Sequence, residues 1–295
     1  MTLYAALGAI EIGFAYGIMV LGVYITFRIL DFPDLTVDGS LPLGAAVSAV
    51  AISNGVNPYL SLIYAIAAGF LAGMVTAILN TKLKILHLLA SILTMIALYS
   101  INIRIMSGPN ITLLGADTVF DTAINLGVPG HFAGMTIFAV IAVICLIGII
   151  WFLTTELGQT MLATGDNPQM IRSLGVNTDN IVILGVGISN GLVALSGALV
   201  AQNQGAADVG MGIGTIVAGL ASVIIGETVF GCNSIARAFI AALLGSIVYR
   251  LAIALALGLE IGDFSFSPSD LNLITAVLVI VALTIPSIKK GLIQR

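Results

Sequence analysis

Eight uninterrupted apolar segments run through the sequence, at 3–27, 57–80, 85–107, 132–154, 181–202, 211–230, 235–258 and 271–287. Each is close to the ~20 residues that a helix needs to cross a hydrocarbon core of about 30 Å. Lipid offers no water to backbone N–H and C=O groups, so such segments must satisfy them internally, as helices do. A ninth apolar segment, 41–54, is short. The expectation is an all-α integral membrane protein, a polytopic bundle of about nine membrane segments whose second one is short and broken. Only 8% of the 295 residues are charged and 59% are hydrophobic, against roughly 25% charged in a soluble domain. No soluble domain fits between the segments, so 1–295 reads as a single transmembrane domain. The N-terminal run lacks the basic flank and small-residue cleavage site of a signal peptide, and reads as the first membrane segment.

Orientation follows from Lys and Arg, which are enriched in short cytoplasmic loops. The tail "IKKGLIQR" places the C-terminus inside. Counting back puts Arg237, the 155–180 segment with Arg172, and Lys82 with Lys84 inside. Glu260, Asp263, Asp270, Asp208, Asp117 and Asp121 fall outside, as does the N-terminus. Arg104 alone sits near an outer boundary.

This walk requires 41–54 to cross from inside to outside, yet its length as a helix is only about 21 Å. The remainder has to come from "DFPDLTVDGS" at 31–40, where Pro33 and Gly39 oppose a straight helix. Non-helical backbone at membrane depth is tolerated where it is buried in protein or lines a wet cavity. A broken second helix lining a path is the preferred reading, and a solvated loop is the alternative. Asp31, Asp34 and Asp38 are thereby candidates for the translocation path, with Asp38 nearest the Gly-Ala rich run.

Between the apolar segments ending near Leu153 and starting near Ile181 lies "TTELGQTMLATGDNPQMIRSLGVNTDN". Within it, Asp166 or Asn167 can cap a short helix, Pro168 suits its first position, and Gly175 suits a left-handed C′ residue. A helix of about seven residues is roughly 10 Å long and cannot cross a bilayer. Its apolar residues Met170, Ile171 and Leu174 are expected on one face, with Gln169 and Arg172 elsewhere. Spacing alone fits two readings equally: a helix pressed into a partner's groove, or a turn lying on the membrane surface.

This region resembles the coupling segment of permease subunits in bacterial ABC importers of the branched-chain amino acid and ribose type. The resemblance rests on Gly158, Ala163, Gly165, Asn167, Pro168, Gly175, Gly191, Gly197 and Ala198, and on "GSLPLGAAVSA" after the polar break. "DLTVDGS" is similar to a branch associated with amino acid uptake, aromatic amino acids included. The sequence departs from the family pattern at "GETVFGCNSIARAF". The resemblance implies that Gly165, Asp166, Asn167, Pro168, Met170, Ile171, Arg172, Leu174 and Gly175 couple the chain to an ATPase. It also implies two ATPase subunits, a second permease copy, an extracytoplasmic substrate-binding protein and a bacterial inner membrane, with lipid around the bundle. No nucleic-acid partner is expected. The sequence has no G-x-x-x-x-G-K-[ST] motif, so ATP hydrolysis is expected on a partner, with no cofactor here and no enzyme activity.

Ionisable groups inside membrane segments are functional candidates, because burying a charge is costly unless it is paired or wet. Glu11 and Arg250 fall at similar depth in the outer half and are expected to pair or to flank the path; the alternative is that Arg250 snorkels. Glu227 is expected to meet Arg237 across a turn. "QNQ" at 202–204 with Asp208 reads as a solvated helix end or a docking surface for a binding protein. His87, His131, Cys145 and Cys232 lack metal-ligand spacing. "GMGIG" at 210–214 opens a membrane segment and does not follow a strand, so it is not a nucleotide loop.

The expected function is permease subunit of an ATP-driven importer of a small polar solute, foremost an amino acid, by alternating access. The alternatives are a sugar or nucleoside permease of the same kind, or an ion-coupled secondary transporter, which would leave the capped cytoplasmic helix unexplained.

Overall fold

The computed structural model describes residues 3–125 and 127–257, together with 260–261, 264–265, 276–277, 280 and 284. Helix α1 (Leu3–Tyr24) runs into a π-helical turn, Ile25–Ile29, and the chain then breaks before α2 (Val37–Ser53). Helices α3 (Pro58–Thr81) and α4 (His87–Met106) follow, then a short strand β1 (Asn110–Thr112), α5 (Val119–Asn125) and α6 (Gly130–Thr154). The 155–180 segment folds as α7 (Glu156–Asp166) and α8 (Pro168–Ser173), and leads into α9 (Thr178–Gln204). After β2 (Ala206–Asp208) comes a 3-10 turn, Val209–Gly212, then α10 (Thr215–Phe230) and α11 (Ile235–Leu257). A two-residue strand pair, β3 (Glu260–Ile261) and β4 (Phe264–Ser265), ends the continuous account.

Among the described residues seven helical spans are long and apolar enough to cross a membrane, and α2 is a shorter apolar helix. Most of the predicted 271–287 segment, with Asp263, Asp270 and the basic C-terminal tail, lies outside the described residues.

Local chemistry explains where several helices begin. An Asn-Pro pair opens both α3 and α8: Asn57 Oδ1 accepts from Tyr59 N at 2.9 Å, and Asn167 Oδ1 accepts from Met170 N at 3.0 Å. Proline at the first position forfeits only an N–H that has no intrahelical partner there. Gly175 adopts φ +85° after α8, and Gly205 adopts φ +70° after α9. A side chain is strained in that region.

Helix α9 is the central pillar, packed against α1, α2 and α3. Close approach depends on small residues. A Cβ on Gly44 of α2 would overlap the Ala194 carbonyl of α9, and one on Gly197 of α9 would overlap the Leu41 carbonyl of α2. Gly69 and Gly73 of α3 face Asn190 and Val186 of α9 in the same way. Lipid tails are as apolar as the helices, so contacts of this kind and interhelical hydrogen bonds hold a membrane bundle together. Here the bonds run from Ser189 Oγ to the Gly22 carbonyl (2.7 Å), from Ser196 Oγ to Ala15 O (2.7 Å) and from Ser246 Oγ to Gly13 O (2.6 Å). Each stabilises by about 0.6 kcal/mol on average.

Three sequence expectations are corrected. The second helix starts at Val37, not Leu41, and is about 25 Å long, so Asp38 and Gly39 belong to the helix and the break narrows to 30–36. Gly39 is there a packing residue, its Cα facing Met95 and Leu98 of α4. Glu227 pairs with Arg28 at the end of α1, not with Arg237. Gln202 is not a solvated helix end. It is buried, with Nε2 donating to Ser48 Oγ (3.0 Å) and Ser61 Oγ (3.1 Å), while Oε1 accepts from Val119 N at 3.0 Å.

Candidate translocation and coupling site

The three carboxylates of the break part company. Asp31 is exposed, takes up a left-handed backbone at φ 49°, and opens onto a cavity of about 600 Å³ shared with Asp166, Arg172 and Asp179. Asp34 is fully buried. Its Oδ1 accepts from Thr36 N at 2.9 Å, and its Oδ2 accepts from the Asn190 amide of α9 at 2.7 Å. Asn190 Oδ1 in turn accepts from Ser40 Oγ at 2.6 Å, and the Thr36 and Thr76 hydroxyls lie 2.8 Å apart. The break is thus pinned to α9 and α3 by a closed polar network, the condition under which irregular backbone is tolerated at membrane depth.

Asp38 reaches across to a different helix. Its carboxylate accepts from Gly214 N (3.0 Å), Thr215 Oγ1 (3.0 Å) and Ile216 N (2.8 Å), which caps the N-terminus of α10. The first N–H groups of a helix have no intrahelical partner and carry partial positive charge, so a carboxylate there is stabilising. Pro42 has no N–H to return to the Asp38 carbonyl four residues earlier. Gly212 packs directly against that carbonyl. The "GMGIG" stretch is therefore the turn that seats α10 on α2.

Beside this junction lies a cavity of about 370 Å³ between α2, α4 and the 209–213 turn. Asp38, Tyr99, Ser100 and Asn102 are among its lining residues. Glu11 and Arg250 do not pair. Glu11 accepts from Asn203 Nδ2 at 2.8 Å, and the Arg250 guanidinium lies 4.0 Å from the Tyr16 ring centroid, a cation–π contact.

Helix α8 has the predicted cap, proline and C-terminal glycine. Its apolar residues do not share one exposed face. Met170 is 49% exposed and Leu174 71%, whereas Ile171 is 5% exposed and belongs to the chain's own packing. Arg172 is turned to α9, with Nε donating to Thr178 Oγ1 at 2.7 Å and an amino group 3.4 Å from Asp179. Lys82 meets the same Asp179 at 3.6 Å. Asp166 is the last residue of α7, and Asn167 alone caps α8. A Cβ on Gly165 would overlap the Ile29 carbonyl, so α7 rests on the π-helical turn. Arg28 of that turn holds Glu227, with Nε to Oε1 at 2.9 Å, near the inner end of α10.

Sequence reasoning missed Asn190, Gln202, Asn102 and the pairing of Arg28. Polar amides inside apolar runs were the available signal. His87 stacks edge-on against Phe32 with ring centroids 4.7 Å apart, and no cluster of metal-ligating groups is present among the described residues.

Interrupted helices pinned by polar side chains and joined to a short capped helix define a polytopic helical membrane protein. Residues 6–285 match the family described as branched-chain amino acid transport system / permease component, and the chain belongs to it. It is 46% identical over 263 residues to a tyrosine transport system permease protein of Clostridioides difficile, covering 89% of this chain and 85% of that one. It is 31% identical over 178 residues to a galactofuranose transporter permease protein of Escherichia coli, covering 59% of this chain and 50% of that one. The fold is similar to the PsaBC complex of Streptococcus pneumoniae solved with a Fab, with TM-score 0.53 and 14% identity over 96% of this chain and 91% of that chain. The chain is therefore a multi-span permease subunit of an ABC importer for a small solute. It is not itself an enzyme, and the ATPase is a separate subunit.

Proposed function

We propose that the imported solute is an amino acid, with aromatic amino acids foremost. The observation that carries this is the 46% identity, along most of both chains, to a permease named for tyrosine transport. The match to the galactofuranose permease is weaker and covers about half of that protein, which makes a sugar the competing outcome.

In this reading the permease works with a second copy of itself, two ATPases on the inner face and a substrate-binding protein on the outer face. The Lys and Arg distribution supports an outside N-terminus and an inside C-terminus in a bacterial inner membrane. The exposed apolar pair Met170 and Leu174 on α8 would seat in a groove of the ATPase. Motion of α8 would pass through α7 and Gly165 to the π-helical turn at Ile29. From there Arg28 and Asp38, one on each side of the break, grip the two ends of α10. An ATP-driven change can shift inward and outward populations only through different contacts in the two states. The Asp38 cap and the Arg28–Glu227 pair are the contacts placed to differ.

The test is uptake by the permease reconstituted in proteoliposomes with its ATPase and binding protein. ATP-dependent accumulation of labelled tyrosine is expected. Accumulation of galactofuranose or fructose without any amino acid would overturn the assignment.

A further inference from the structure

The cavity between α2, α4 and the 209–213 turn carries two hydrogen-bond acceptors that the protein does not fully use. Asn102 is completely buried; its amide donates to the Gly39 carbonyl at 3.2 Å, and its Oδ1 has no partner among the described residues. A buried polar atom left without a partner costs about 1–3 kcal/mol, so it calls for a physical reason. Asp38 is the second acceptor. Its carboxylate accepts from the start of α10 but has no cation within ion-pairing distance among the described residues.

Donors stand at the same cavity. The hydroxyl-bearing residues Tyr99 and Ser100 line it and are exposed. The remaining wall is largely apolar, with Pro42, Ile96 and Ile213 among its residues. The volume, about 370 Å³, falls in the ~300–1,000 Å³ range of small-molecule sites. A ligand that fits has a cationic donor for the two acceptors, an anionic acceptor for the hydroxyls, and an apolar or aromatic body. A zwitterionic amino acid with an aromatic side chain has all three. A sugar offers donors but no charge to answer an unpaired carboxylate.

We infer that Asp38, Tyr99, Ser100 and Asn102 form a station for an amino acid on its way through the permease, with Asn102 as a specificity-determining residue. This inference rests on the amino acid reading above. The Asn102 oxygen is buried where α4 packs on Gly39 of α2. It becomes available to the ammonium group when α4 moves off α2, so the station is complete in one state of the transport cycle and dismantled in the other. Such state-dependent contact is what alternation requires.

The test uses the assembled transporter with its ATPase and binding protein in proteoliposomes, and reads initial tyrosine uptake at saturating binding protein. Asn102→Leu is expected to lower the maximal rate about tenfold, the worth of one hydrogen bond to a charged group. Asn102→Ser keeps a neutral acceptor oxygen and loses the amide donor to Gly39, so it is expected to lose less uptake than Asn102→Leu. Wild-type uptake in Asn102→Leu, or equal failure of the Leu and Ser variants, would overturn the station. Should Asn102→Leu fail to assemble, the double variant Tyr99→Ala/Ser100→Ala at exposed positions decides: a fall of at least about threefold supports the station and unchanged uptake overturns it. A wild-type transporter that carries a sugar and no amino acid overturns the substrate reading and the station with it. Amino acid uptake that none of these variants alters overturns the station alone.

Discussion

Helices α2 and α10, of 17 and 16 residues, both begin after interrupted chain, and they solve the same problem differently. The start of α2 is anchored from within and from the pillar: Asp34 of its own break accepts from Thr36 N and from Asn190 of α9. The start of α10 is anchored to α2, because Gly214 N, Thr215 Oγ1 and Ile216 N all donate to Asp38. One helix is tied to the frame and the other to its neighbour. The inner end of α10 repeats the pattern, since Glu227 is held by Arg28 beside the same break. A displacement of residues 28–38 would therefore carry α10 with it, whereas α10 can be released without disturbing the start of α2.

The largest expected effect comes from cutting α2 loose from the pillar. Asn190→Leu strips Asp34 Oδ2 and Ser40 of their partners in a fully buried place. A loss of about 3 kcal/mol or more is expected from orphaned buried polar groups, read as a marked drop in thermal unfolding temperature in detergent together with loss of uptake. Retained stability would mean that the break is not held by this network.

Releasing α10 should cost less stability and nearly as much transport. Asp38→Ala removes a cap worth about 0.5–2 kcal/mol, and uptake is expected to fall at least about tenfold, the equivalent of 1.4 kcal/mol. Asp38→Asn keeps an accepting oxygen and should fall between Asp38→Ala and wild type. If Asp38→Ala transports normally, α10 does not depend on α2 for its placement.

Arg28→Met tests the other end of α10: the Arg28 side chain is half exposed, but the Glu227 carboxylate it leaves without a partner is only 11% exposed, so a loss of about 1–3 kcal/mol is expected. The same variant is expected to lower uptake severalfold while leaving ATPase binding intact. Equal loss of ATPase binding would place Arg28 in the coupling interface instead of between break and α10.

What could be read from the sequence follows from range. The spans, the break after residue 30, and the Asn167, Pro168 and Gly175 signals of α8 rest on residues close together in the chain. The length deficit of the second helix located irregular backbone at membrane depth, though the helix proved to begin four residues sooner, at Val37. The partners of Asp34, Asp38, Glu11, Glu227 and Arg250 lie on helices remote in sequence, and neither spacing nor charge sign selects among them. Glu11 thus found Asn203, and Arg250 found the face of Tyr16, although opposite charge at similar depth suggested that they would meet. On α8 the spacing grouped Ile171 with Met170 and Leu174, but a helix of six residues has room to bury one apolar side chain against its own bundle and expose the other two.

That division of α8 sets the most direct test. In the proposed coupling Met170 and Leu174 receive the ATPase, while Ile171, 5% exposed, packs within the permease. The measurement is co-purification of the ATPase with tagged permease carrying Met170→Asp/Leu174→Asp, alongside thermal unfolding of the permease. Loss of the ATPase with unchanged permease stability is the predicted result. Full retention of the ATPase by the double variant would contradict it.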